Sequence, residues 1–458
     1  LYFSSAFKHL SSDYGADTPN NSTTGLTLNC WRENDGYVRG RFTAWQSDTI
    51  LDSGWSTTTI SSSGDCYDTG IKVRYIGGGY WLVMWCTGIG FNPGSDRMKC
   101  RTVHHNGDLG VENTMSATVA YGANFEAVRI SDTRTVVHWR QLSNTNWMLD
   151  QGVLRVLDWT GSGTTRTFTG GSDLSGMGVS VGMQSSLAYV SSTDKLVLNN
   201  WVSGEQKVRV GTVSGSAGSG TITWGTVGVV ATGSFGSLTY DATNDKLVCI
   251  WKNGPTNTTE PLWAAVIQTS ASDNEVSIGT ASSSGFSQAP DGSNSACVTA
   301  EGLFVRGIIN NLAGYLKCLT VDGFNINWQG GSTLMTANSN NGSTSDSASP
   351  NVNYNSLKKR IELMREATTP NDVYGSQAST VQLTTNISTK NCIGFVEDAI
   401  ADGATGTVKL LGNTIDGYTS LTIGDTYWVQ NDGTIGGGAA TSAAGFVAIS
   451  STKGIIFT

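Results

Sequence analysis

Ser237-Leu238-Thr239-Tyr240-Asp241-Ala242-Thr243-Asn244-Asp245-Lys246-Leu247-Val248-Cys249-Ile250-Trp251 reads as a short strand, a polar hairpin turn and a second strand ending at Trp. Asn244 and Asp245 mark the turn, because their side chains satisfy local backbone groups and tolerate left-handed geometry. A near copy runs from Ser186 to Trp201, and earlier copies run from Ala127 to Trp139 and from Val73 to Trp85. The first copy supplies only its second strand, Leu26 to Trp31. Two degenerate copies follow at Ser295 to Gly307 and Pro350 to Met364, which makes seven.

Trp31, Trp85, Trp139, Trp201 and Trp251 recur at a period of roughly 50–60 residues, a repeat length of propeller and solenoid architectures. Each copy continues into a third and a fourth strand. Examples are Lys207–Val213 then Thr221–Thr226, Leu262–Ile267 then Glu275–Thr280, Tyr315–Thr320 then Phe324–Trp328, and Tyr37–Trp45 then Thr49–Trp55. The expected fold is all-β: a seven-bladed β-propeller of four-stranded blades over residues 1–380. A single blade cannot bury both faces, whereas stacking blades in a ring does so and leaves only short edges. An aromatic at a fixed phase of every second strand is then packing between blades.

Composition agrees with a turn-rich, strand-rich chain. Of 458 residues 57 are Gly, only 14% are charged, and 14 Trp, 14 Tyr and 13 Phe accompany them. Coiled coils, helical repeats and charge-driven disorder are excluded. With 28 basic and 36 acidic residues the net charge is −8, and no basic stripe is present, so nucleic acid is not an expected partner. No apolar run is long enough to span a membrane as a helix. The chain opens on Leu1-Tyr2-Phe3, without an initiator Met or a signal-peptide pattern, and reads as processed or partial. Its eight Cys form no C-x-x-C motif, and several sit in apolar strands, where a reduced thiol is a small core filler.

From about Val381 the period stops, and residues 381–458 read as a separate small β-sandwich or β-roll. Asp432-Gly433, between Tyr427-Trp428-Val429 and Thr434-Ile435, is a strong hairpin signal. Here the blocks Asn391–Phe395, Ala399–Gly406, Leu421–Thr434 and Gly445–Lys453 resemble the C-terminal module of bacteriophage fibre and appendage proteins, with Trp428 where that family usually has Tyr. The hairpin Tyr240–Val248 and the strand Gly211-Thr212-Val213-Ser214-Gly215 resemble tail-fibre repeats. The resemblance implies a virion structural protein, located on an extracellular particle, with other virion proteins and a host-surface glycan or receptor as partners. It also implies a homo-oligomer, commonly a trimer.

A search for chemistry finds no catalytic set. The nearest string to the Asp box of sialidase-type propellers is Ser11-Ser12-Asp13-Tyr14-Gly15, which lacks the Trp and lies outside the blade hairpins read from the repeat. Asp150, Asp158 and Asp173 are scattered among turns, whereas glycoside hydrolysis needs two carboxylates roughly 5–10 Å apart. There is no Gly-x-Ser-x-Gly, no calcium loop and no phosphate cradle. Adjacent His104 and His105 at a strand end should point to opposite faces, and His138 beside Trp139 should be a core or channel residue. No metal or cofactor is expected, and the chain is expected not to be an enzyme. The variable loops Gly88–Asp96, Gln141–Gln151 and Asn253–Pro261 should gather on one rim, where Phe91 and Trp147 are candidate ligand contacts for stacking on a sugar ring. The expected role is a rigid surface for receptor binding or virion assembly. Two alternatives stay open: a glycan-cleaving, sialidase-like propeller, and a bacterial surface lectin or adhesin.

Overall fold

The strand Tyr80–Thr87 reads Tyr-Trp-Leu-Val-Met-Trp-Cys-Thr with every residue buried, and only a strand covered on both faces tolerates so unbroken an apolar run. The computed structural model of the chain is built around such strands. It describes residues 2–3, 7–15, 25–33, 35–45, 51–52, 56–87, 97–115, 125–141, 151–179, 185–242, 244–252, 261–285, 296–299, 302–309, 313–328, 333–334, 352–357, 360–368, 374–382, 395–396, 408–409, 414–416, 418–429, 435–436 and 445–457. The chain forms two compact units, Leu1–Val381 and Gln382–Thr458.

In the first unit the described residues form seven antiparallel sheets, each with a path of four strands. Sheet one orders Phe7–Gly15, Leu26–Glu33, Val38–Trp45 and Leu51–Asp52. Sheet two orders Cys66–Gly77, Tyr80–Thr87, Arg97–His104 and Asn113–Thr114. Sheet three begins at Phe125–Ser131, sheet four at Ser185–Val190, sheet five at Ser234–Asp241 and sheet six at Ala296–Thr299. The seventh runs Val352–Asn355, Arg360–Thr368 and Tyr374–Gln382, and its fourth strand is Tyr2–Phe3 from the other end of the unit. The all-β expectation with four-stranded antiparallel sheets holds.

The first strand of each sheet packs against the first strand of the next, and Val352–Asn355 of the seventh packs against Phe7–Gly15 of the first. These first strands form an inner wall. The repeat had credited its first copy with a second strand alone. Phe7–Gly15 is the missing inner strand, and Ser11-Ser12-Asp13-Tyr14-Gly15 lies within it, hairpinned to Leu26–Glu33. That strand carries no Tyr-to-Asp turn of the repeat type, which is why the pattern passed over it.

Apolar clusters fill the gaps between neighbouring sheets. Val73, Trp81, Val83 and Trp85 of sheet two pack on Leu28, Cys30 and Ile60 of sheet one, while Leu82, Met84 and Met98 pack on Val137, Trp139 and Leu157 of sheet three. Trp85, Trp139 and Trp251 are fully buried, and each such burial contributes about 4–6 kcal/mol of transfer free energy. The recurrent Trp is thus packing, although Trp201 stays half-buried. Polar clasps cross the same gaps. Gly163 N donates to Tyr80 Oη (2.8 Å), Gly218 N to Asp158 Oδ2 (2.9 Å), Lys195 Nζ to Asn274 Oδ1 (3.0 Å) and Trp328 Nε1 to Ser282 O (3.2 Å).

The repeated turn has a device of its own. Tyr189 Oη donates to Asp194 (2.7 Å) and Tyr240 Oη to Asp245 (2.9 Å), and both aspartates sit at positive φ, 56° and 51°. The aspartate takes the left-handed corner and the tyrosine of the preceding strand holds its carboxylate there.

In the second unit, the strands Thr414–Ile415, Gly454–Phe457, Gly445–Ala448, Thr426–Val429 and Ile435–Gly436 form one sheet in that order. Phe446 is its centre, stacked on Tyr427 (centroids 5.4 Å apart) and packed with Ile415, Leu421 and Ile456. Val429 pairs with Ile435 around the Asp432-Gly433 signal; those two turn residues lie outside the described residues.

Candidate functional site

Charged side chains on an inner wall are costly unless paired, so their presence there is informative. Along Cys66–Gly77, Val73 faces sheet one and Ile76 faces sheet three, so alternation turns Lys72 and Arg74 toward sheet three. Along Phe125–Ser131, Ala127 faces sheet two and Val128 faces sheet four, so Glu126 starts on the side away from sheet two. Its carboxylate nevertheless meets Arg74 and Lys72. The contact crosses the boundary between sheets two and three.

The contacts are close. Arg74 Nε donates to Glu126 Oε1 (2.6 Å) and Arg74 Nη2 to Oε2 (2.8 Å), while Lys72 Nζ lies 3.0 Å from Oε2. Asp13, from sheet one, accepts from Tyr75 N at Oδ2 (2.7 Å) and from Tyr14 N at Oδ1 (3.0 Å). Trp81 Nε1 donates to the Asp13 carbonyl (2.9 Å), fixing that strand against sheet two. The side chains of Lys72 and Arg74 keep 22% and 28% of their surface exposed, so solvent reaches the cluster.

The two carboxylates are displaced in opposite directions. Burial raises Asp13 above the ordinary carboxylate range, against the pull of Arg74. Burial also works to raise Glu126, but Arg74 and then Lys72 outweigh it and hold this group below its ordinary value. His138, the cross-strand partner of Glu126, is pushed down to about 4 by burial and is neutral near pH 7.

The residues singled out from sequence fall elsewhere. Phe91, Trp147 and Asp150 lie outside the described residues. Asp158 pairs with Arg134 (2.7 Å) and Asp173 with Arg155 (2.5 Å), so both are structural anions. His104 and His105 do not diverge: the strand ends at His104, His105 begins the turn, and the two rings lie 4.0 Å apart. His138 is fully buried. Cys30, Cys66, Cys86, Cys100, Cys249 and Cys318 are free thiols. The sequence shows Asp13 only within the Asp-box-like string, and its patterns do not single out Lys72, Arg74 or Glu126. The available signal was charge in inner strands where other copies carry Leu, Ala, Val or Ser.

A ring-like succession of four-stranded antiparallel sheets, packed through their first strands, defines the β-propeller class. No family model matches the chain, and no curated protein matches it. Solved structures resemble it in fold. A sialidase from Trypanosoma rangeli is 12% identical at a TM-score of 0.40, covering 71% of this chain and 56% of its own, so the match spans little more than half of that enzyme. An α-L-arabinofuranosidase from Fusarium graminearum is 11% identical (TM-score 0.40; 69% and 92% covered). A fucose-specific lectin from Aleuria aurantia is 11% identical (TM-score 0.40; 72% and 96% covered). The expectation of a chain that is not an enzyme is corrected by these neighbours. They include glycosidases, so this architecture is no ground for setting catalysis aside.

Proposed function

We propose that the chain is a glycan-recognising protein whose first unit is a seven-bladed β-propeller, with the inner-wall cluster of Asp13, Lys72, Arg74 and Glu126 as its site. The observation that carries this reading is a set of solvent-reached charged groups that hold one another in place where the inner strands of sheets one, two and three pack. Sugar hydroxyls both donate and accept. Fixed guanidinium, ammonium and carboxylate groups meet them at no further entropy cost for ordering the site. The blade count is supported by the seven sheets and by the closing contact of Val352–Asn355 with Phe7–Gly15. Calorimetric titration with a panel of oligosaccharides tests the reading. Binding lost at least tenfold in R74M supports it, and binding unchanged in that variant moves the site elsewhere.

Hydrolysis is a second reading, favoured by one observation. Burial holds Asp13 up while Arg74 and Lys72 hold Glu126 down, and opposed displacements of two carboxyls are how acid and base roles are divided. Release of reducing ends on incubation with bound glycans decides between recognition and cleavage. A virion setting and a homotrimer rest on the sequence resemblances alone, those of residues 391–453 and of the repeat segments Tyr240–Val248 and Gly211–Gly215. Mass spectrometry of purified particles and the solution mass of the chain test them.

A further inference from the structure

We infer that the inner-wall site selects uncharged glycans over acidic ones, and that Glu126 sets this selectivity; the inference rests on the glycan reading above. A carboxylate-bearing sugar is best taken by a free guanidinium fork. Arg74 has none to give: Nε and Nη2 are both spent on Glu126, and Nη1 donates to Val73 O (3.1 Å). Lys72 is on the same carboxylate. Asp13 adds a second acid beside Arg74, so the cluster holds two cations and two acids, with no cation left over. To accept an acidic sugar, Arg74 must leave Glu126, whose side chain is only 9% exposed, and that strands a carboxylate largely out of water. The net charge of −8 on the chain opposes anions at longer range. Hydroxyl groups meet no such obstacle, because the remaining N–H groups of Arg74 and Lys72 and the spare lone pairs of Glu126 serve them without breaking a pair.

The experiment is calorimetric binding of neutral hexose oligosaccharides and of size-matched oligosaccharides containing uronic acid, to the full chain and to E126Q. The native chain binds the neutral series in preference, with affinity unchanged between low and physiological salt, since no net charge is exchanged. E126Q frees Arg74 and Lys72 and gains at least tenfold for the acidic series. Preference of the native chain for acidic glycans, weakening as salt rises, overturns the inference and leaves the glycan reading standing. No binding of either series removes the glycan reading itself. The salt series on the native chain decides the matter if E126Q does not fold.

Discussion

Arg74 and Glu126 are separated by 52 residues and by a sheet boundary, yet they meet fork to fork, with Nε on Oε1 at 2.6 Å and Nη2 on Oε2 at 2.8 Å. The pair ties the inner strand of sheet two to that of sheet three, where no backbone ladder joins them. Glu126→Ala leaves two cations without their shared anion and should cost about 2–4 kcal/mol of stability. The urea midpoint of the first unit should fall accordingly. Glu126→Gln, which keeps the shape and some hydrogen bonds, should cost less.

Mild acid should weaken the first unit through His138. His138 has a folded pKa of about 4 against an unfolded value of about 6.5, so the unfolded chain binds more protons between those limits. Stability therefore falls as pH drops from 6.5 toward 4, by about 3 kcal/mol over the window. Below its ordinary value the depressed Glu126 adds to the loss, whereas the raised Asp13 takes up its proton above its ordinary value and so offsets part of the His138 effect there. Stability measured across this range for His138→Gln should lose most of its slope between pH 6.5 and 4.

Deleting residues 1–4 removes the fourth strand of the seventh sheet, where Tyr2 pairs with Gln377 and Phe3 with Ser376. The thermal midpoint of the first unit should fall by about 1–3 °C, as expected for a loss of one to two kcal/mol in a domain of this size. Proteolysis near residues 374–382 should quicken. An unchanged midpoint would mean that the strand adds nothing to the sheet.

Gly454 lies against the ring at the centre of the second unit: a Cβ built there collides with Phe446 Cδ2. Gly454→Ala must move a ring already stacked on Tyr427, at a cost of about 1–3 kcal/mol. The transition of the second unit, followed through its aromatic circular dichroism, should shift down. That of the first unit should stay in place.

Much of the architecture was legible because the repeat writes its turn into the sequence. Tyr189 with Asp194, and Tyr240 with Asp245, are local pairs five residues apart, so a reader of the chain meets them together. Two elements were not legible, for opposite reasons. Phe7–Gly15 lacks that turn pair, and Tyr2–Phe3 belongs to a sheet whose other strands lie at the far end of the unit. The site was hidden for a related reason. Asp13, Arg74 and Glu126 come from three successive repeats, and only the packing of inner strands turns three isolated charges into one cluster. Asp13 stands in an Asp-box-like string that lacks the Trp and lies outside the hairpins the repeat marks. The Trp that serves it, Trp81, comes from the next sheet and donates to its carbonyl.

The pairing of Phe3 with Ser376 also sets a timetable for biosynthesis. On a ribosome adding 5–20 residues per second, the early segment waits roughly 20–75 s for its partner to be made. Throughout that interval Tyr2–Phe3 has no partner strand and is open to pairing with a neighbouring nascent chain. Folding yield in crowded translation should therefore depend on how quickly the late segment is delivered, more than on how well any single sheet forms.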